Sequence, residues 1–252
     1  MIISEPLPSQ IPQLRNLWKT AFGDGDDFLD MFYTSAYAPH RCRCLLDEER
    51  IVAVLYWFDC TCNGRKLAYL YAVATDPAYR NQGLCRRLMA DTHAHLKEQG
   101  YAGALLLPQD SGLQQMYGKM GYAPCTSLRE FECTAAGEPA ALTELTAATY
   151  AALRAPMLPA GSVIQEGENL SYLAGYCKFY QGPDFLAVVF PDADQAICYE
   201  FLGNVTGAPA FLQALGAKKG IIRTSGTGKD FAMYTSFVPN CPKPEHFAFA
   251  FD

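Results

Sequence analysis

Apolar residues recur along this chain in two periods, and the switches between them mark out its elements. Residues 2–5 read as a short strand. From Ser9, a residue suited to capping a helix, Ile11, Leu14, Leu17, Trp18 and Phe22 recur at helical spacing as far as Gly23. A second helix is predicted over about 26–37, with Phe28, Met31, Phe32 and Tyr33 as its apolar content. Residues 41–46 and 51–60 read as strands joined by a charged turn at 47–50, and Asn63-Gly64 is a strong hairpin signal. The run 67–75 is almost wholly apolar or aromatic and too short for a helix, so it predicts an interior strand. An amphipathic helix opens at about Gln82, carries Leu84, Leu88, His95 and Leu96 along one side, and stops at Gly100. A strand over 102–107, a further helix and the segment 117–124 follow. The order β-α-α-β-β-β-α-β-α-β predicts an α/β fold with a mixed central sheet flanked by helices.

The second half repeats the theme less clearly. Residues 131–134 are predicted to end a first unit spanning 1–134, with 135–139 as a linker into a second unit over 138–252. Helices are predicted over 140–153 and 169–180, strands over 185–190 and 196–202, then a short helix over 209–215 and a strand at 220–224. A turn at 225–228 leads into 231–238, and 247–251 predicts a last strand. Gly226, Gly228 and Lys229 fall short of a nucleotide-binding loop, because Arg223 and Asp230 stand where glycine and Ser or Thr are needed.

Composition narrows the function classes. Half of the 252 residues are hydrophobic and 13% aromatic, enough for a packed core. A net charge of -6 argues against a nucleic-acid partner. No apolar run approaches the roughly 20 residues of a membrane span, and the start lacks a signal-peptide pattern, so a cytoplasmic location is expected. Cys42, Cys44, Cys60 and Cys62 fall in two Cys-x-Cys pairs on neighbouring predicted strands, but the spacing differs from that of zinc knuckles. Free buried thiols are the better reading, and no metal is expected. His93 and His95, two apart on a helix, do not face each other.

The richest stretch is Val73-Ala-Thr-Asp-Pro-Ala-Tyr-Arg80-Asn-Gln-Gly83-Leu-Cys85, a strand end, a short loop and a helix start. A glycine at the mouth of a helix, three residues after an arginine, leaves unpaired backbone N–H groups directed outward. Those amides, and the helix dipole, suit a phosphate.

Arg-x-x-Gly-x-(Gly/Ala) after a strand ending in x-Pro-x-Tyr resembles motif A of the GCN5-related N-acetyltransferases (GNAT superfamily). Tyr117-Gly-Lys-Met-Gly121-Tyr122 resembles the closing segment of the same domain, in particular that of the tandem "enhanced intracellular survival" type, which carries a second acetyltransferase-like domain. The resemblance covers about residues 1–133. It implies the acyl-CoA N-acyltransferase fold, a second GNAT-like domain that has lost its coenzyme loop, and transfer of an acetyl group from acetyl-CoA to a primary amine of a small molecule or peptide by direct attack. It assigns the pyrophosphate to Arg80, Asn81, Gln82, Gly83, Leu84 and Cys85, the pantetheine arm to the backbone of Ala72, Val73, Ala74 and Thr75, and the general acid to Tyr117.

Cys85 departs from the motif, whose last position is normally glycine or alanine. A thiol at a helix start is expected to have a lowered pKa, although a small, partly buried residue is the plainer reading. The general base is not evident, since residues 68–75 hold no carboxylate. Asp76 is expected to shape the turn before Pro77. The tandem type implies a C-terminal carboxylate, here that of Asp252, and Glu200 or a water chain are alternatives. Asp24, Asp26, Asp27 and Asp30 would suit a cationic acceptor, but equally suit helix caps and solvated loops. A non-catalytic acyl-CoA sensor is the rival function, and a homo-oligomer is left open.

Overall fold

The computed structural model describes residues 1–251, and in it the apolar runs become two mixed sheets. In chain order the first half forms β1 (Ile2–Ser4), α1 (Ile11–Phe22), α2 (Asp26–Ser35), β2 (Cys42–Asp47), β3 (Arg50–Cys62), β4 (Arg65–Thr75), α3 (Leu84–Glu98), β5 (Gly103–Leu106), α4 (Ser111–Gly118) and β6 (Ala123–Pro124). The second half forms β7 (Ser127–Thr134), β8 (Thr143–Leu145), α5 (Ala147–Arg154), α6 (Glu168–Leu173), β9 (Lys178–Gln181), β10 (Phe185–Phe190), β11 (Gln195–Gly203), α7 (Ala208–Leu215), β12 (Lys219–Asp230) and β13 (Met233–Ser236).

The first sheet has the order β1-β2-β3-β4-β5-β13-β6. Helix α1 buries Leu14, Leu17 and Trp18, and it ends at Gly23, whose left-handed conformation lets its N–H bond back to Lys19. Ser9 does not cap it, because a single 3-10 turn over Pro8–Gln10 takes up that residue first. Asn63 and Gly64 both have positive φ, as a tight β3–β4 hairpin requires.

The strand beside β5 comes from the far end of the chain. The compact unit built on this sheet includes residues 234–241, and Phe237 N–H bonds to the Ala102 carbonyl at 2.8 Å. Strand β13 docks so closely that a Cβ on Gly103 would overlap the Tyr234 ring. Conversely β7, which the sequence placed at the end of the first unit, pairs with β12 in the second sheet, ordered β7-β12-β11-β10-β9-β8. Residues 124–233 and 242–251 fall with that second unit; its sheet is drawn from the continuous stretch 127–230, whereas the first sheet takes β13 from beyond it.

Within the second unit, β11 lies parallel to β12 with α7 between them in sequence, as β4 and β5 enclose α3 in the first. Its core packs Phe185, Phe201 and Phe211 together. Four expectations are corrected here. The predicted helix 140–153 divides into β8 and α5, because Thr146 stops the strand and caps the helix by accepting from Thr149 N–H. The predicted helix 169–180 ends at Leu173 and is followed by β9. The predicted turn at 225–228 lies inside β12, where the register against β7 shifts between Thr224 and Lys229 and a Cβ on Gly228 would strike the Leu128 carbonyl. Residues 247–251 are buried but belong to no strand.

Candidate active site

Strand β4 pairs with β5 only from Leu67 opposite Gly103 to Tyr69 opposite Leu105, then continues to Thr75. Strand pairing on that side therefore stops well before β4 does. Beyond the last pair, Ala72 has a φ of 48°, in the left-handed region that residues with a side chain seldom enter. Such a residue breaks the ladder locally and redirects the peptide groups that follow it. Ala72, Val73 and Thr75 are half-buried and Ala74 is buried, so small side chains leave this backbone open to approach.

The loop after β4 is held from both ends. Asp76 accepts from the Ala78 amide at 2.9 Å and from Arg50 at 2.7 Å, and these bonds keep its carboxylate below the ordinary range against the effect of burial. It shapes the turn, as its place before Pro77 predicted. Tyr79 donates to Asp47, and Arg80 Nε donates to the Thr75 carbonyl at 3.2 Å. Asn81 and Gly83, with φ of 63° and 75°, then swing the chain into α3, which Leu84 anchors in the core. No side chain caps the N-terminus of α3. A Cβ on Gly83 would meet nothing within 4 Å, so the space before the helix is open. Exposed Arg80 and Arg86 add positive charge to the uncapped amides. These groups together fit a pyrophosphate.

Cys85 corrects an expectation. Its thiol is pushed up to about 11 by burial, because desolvation at this position outweighs the helix start. It is a packing residue beside the neighbouring phenols rather than a reactive thiolate.

Tyr117 lies on α4, buried, with its phenol raised above the ordinary value first by burial and then by Cys85 nearby. Among the described residues its hydroxyl has no hydrogen-bond partner. Its ring stands edge-on to Tyr122 at 6.0 Å, and the Tyr122 hydroxyl lies 2.7 Å from His93 Nε2. His93 also packs on Phe237 of the strand region contributed by the end of the chain. The sequence reading considered His93 only as a metal ligand and missed this arrangement. The segment that carried Tyr117 already contained Tyr122.

The remaining candidates sort plainly. Asp26 is paired with Arg15 at 3.0 Å and Lys19 at 2.6 Å, Asp30 with Arg15 at 2.7 Å, and Asp24 accepts the Trp18 indole N–H at 2.7 Å. Glu200 is buried in the second unit, bound by Arg154 and Tyr150, and unavailable as a base. Asp252 lies outside the described residues. None of the ten cysteines is joined in a disulfide; Cys42 and Cys44 face Tyr56 and Val54 across the ladder, out of register with Cys60. Among the described residues no cluster of His, Cys, Asp or Glu could hold a metal, and no helix is long and apolar enough to cross a membrane.

Residues 3–125 match the family model of an acetyltransferase (GNAT) domain. A 63-residue stretch is 38% identical to the N-acetyltransferase Eis of Mycobacterium tuberculosis and Mycobacterium bovis, covering 25% of this chain but only 15% of those relatives. A GCN5-related N-acetyltransferase from Anabaena variabilis superposes on 92% of the chain and 72% of its own with a TM-score of 0.75 at 15% identity. Eis1 from Mycobacterium abscessus gives 0.64 over 93% of this chain and 73% of its own at 12% identity. A tandem GNAT protein of the clavulanic acid biosynthesis pathway gives 0.59 over 95% and 100% at 10% identity. At these identities the structures show fold alone. Residues 3–125 match a GNAT acetyltransferase domain, and the chain as a whole shares the fold of these solved structures.

Proposed function

We propose that this protein is an N-acetyltransferase that moves an acetyl group from acetyl-CoA to a primary amine. The observation that carries the reading is the run from a parted β4, kinked at Ala72, into the open, uncapped start of α3 at Gly83. In this reading Arg80, Asn81, Gln82, Gly83, Leu84 and Cys85 hold the pyrophosphate through backbone amides and the arginine. The backbone of Ala72, Val73, Ala74 and Thr75 pairs with the pantetheine arm as a further strand would.

Acyl transfer by direct attack needs a polarised thioester carbonyl and a proton for the departing thiolate. An amide near the Ala72 kink serves the first need as an oxyanion donor. Tyr117 serves the second: its burial keeps the phenol protonated and its hydroxyl carries no competing partner among the described residues. No carboxylate is available on β4, so proton removal from the amine is assigned to solvent.

Melting of the protein with and without acetyl-CoA tests the reading. Ligand at about 100 times its dissociation constant adds about 2.7 kcal/mol and raises the melting temperature by several degrees. Gly83→Glu should abolish the rise, since bulk and negative charge both oppose the pyrophosphate. A wild type that does not respond to millimolar acetyl-CoA excludes the reading. A normal rise in the variant moves the phosphate site elsewhere.

A further inference from the structure

We infer that His93 and Tyr122 are a positioning pair that ties the Tyr117 phenol to α3, the helix that opens at the proposed coenzyme loop. The inference rests on the proposed function in taking Tyr117 as the proton donor. Neither His93 nor Tyr122 is given a chemical step of its own.

Tyr117 and Tyr122 spring from one closed turn. The Tyr117 carbonyl accepts from the Met120 amide at 2.9 Å and from the Tyr122 amide at 3.2 Å, and Gly121, with a φ of 93°, lets the chain return. The two buried rings then meet edge-on at 6.0 Å. A tyrosine ring turns about a broad torsion, so its plane is set by a partner at its hydroxyl or by the surfaces around it. The Tyr117 hydroxyl has no such partner among the described residues, so its aim depends on its neighbours.

Tyr122 is held at its tip as well as along its faces. Its hydroxyl lies 2.7 Å from His93 Nε2, and the imidazole is backed by the Phe237 ring at 5.1 Å. His93 stands on α3, about ten residues and so about 15 Å along the axis from Gly83. Cys85, on the first turn of the same helix, lies near the Tyr117 phenol. One rigid helix thus carries the pyrophosphate amides at its start and the anchor of Tyr122 further along. Proton delivery needs the phenol oxygen to meet the departing sulfur, and a displacement of about 1 Å costs up to about 10²-fold in rate.

Magnetic resonance of the full chain, labelled with carbon-13 in its tyrosine rings, tests this without turnover. The Tyr117 signal is assigned by its loss in Tyr117→Phe. His93→Phe removes the bond and keeps a ring, whereas Tyr122→Phe removes a single oxygen. Each should shift or broaden the Tyr117 signal, and the two combined should do no more than either alone. His93→Gln, which can still bond the Tyr122 hydroxyl, should return the signal toward that of the parent. In steady-state assays each single variant should lower kcat by roughly 10–10²-fold with KM for acetyl-CoA unchanged, and the double variant should lower it no further. Should His93→Phe melt early, Tyr122→Phe carries the test by itself. A Tyr117 signal indifferent to Tyr122→Phe, losses that multiply in the double variant, or an effect on KM in place of kcat overturns the inference. A responsive Tyr117 signal in a protein that shows no turnover refutes the proposed activity and leaves the placement of Tyr117 standing. Turnover with an indifferent signal does the reverse.

Discussion

The Tyr122 hydroxyl and His93 Nε2 lie 2.7 Å apart, and His93 is enclosed by Tyr122 and Phe237 with Lys97 nearby. Burial, and secondarily Lys97, pushes the imidazole down to about 4. The contact therefore belongs to a neutral histidine at physiological pH, one that fixes the Tyr122 ring against which Tyr117 packs.

That depression has a consequence for stability. Unfolded, the imidazole titrates near 6.5, so between about 6.5 and 4 the unfolded chain binds a proton that the folded one refuses. The stabilisation is full above about 6.5 and is lost as pH falls toward 4, by up to about 3 kcal/mol. His93→Gln should be less stable at pH 7 but should lose less on acidification, measured as the urea midpoint at pH 7, 5.5 and 4.5. His246, also lowered by burial, remains in both proteins and cancels in the comparison. Parallel pH profiles would show that His93 is solvated in solution.

Tyr117 makes the sharper kinetic prediction. Its phenol is buried, raised and, among the described residues, without a hydrogen-bond partner, so it can act only as a proton donor across the neutral range. Tyr117→Phe should lower kcat by roughly 10²–10⁴-fold and leave acetyl-CoA affinity unchanged, read by steady-state turnover alongside calorimetry. A sensor that binds acyl-CoA would show coenzyme binding and no turnover in either form. Equal turnover in the two proteins would remove Tyr117 from the mechanism.

Local chemistry explains what was legible in the sequence. Asn63-Gly64, Gly23 and the Arg80-to-Gly83 loop announce themselves because positive φ and helix ends restrict which residues can sit there. What the sequence hid is long-range. The exchange of β7 and β13 between sheets depends on pairings across about a hundred residues, and an apolar strand reads alike in either sheet. The kink at Ala72 is equally silent, since alanine carries no signal of left-handed backbone. The aromatic residues of α1 and α2 read as core by spacing, and only their unequal exposure separates Trp18 from Phe22 and Phe28.

Glu200 shows how burial changes the reading of a carboxylate. It sits on β11 with both oxygens bound: Arg154 donates to them at 2.7 and 2.9 Å, and Tyr150 adds a third bond at 2.6 Å. Both members of the pair are 2% exposed, and the guanidinium also lies 4.5 Å from the centre of the Phe249 ring. Removing one partner strands the other charge away from water, a loss of about 3–5 kcal/mol, whereas replacing both with apolar groups of similar size avoids that cost. Glu200→Leu should therefore be strongly destabilised, and Arg154→Leu combined with it should recover much of the loss, measured by urea denaturation of the two variants and the parent. The Tyr150 hydroxyl stays unpaired in both variants, so recovery will be incomplete unless Tyr150→Phe is added. A single variant as stable as the parent would mean that water reaches the pair, and the buried network assigned to this unit would be withdrawn.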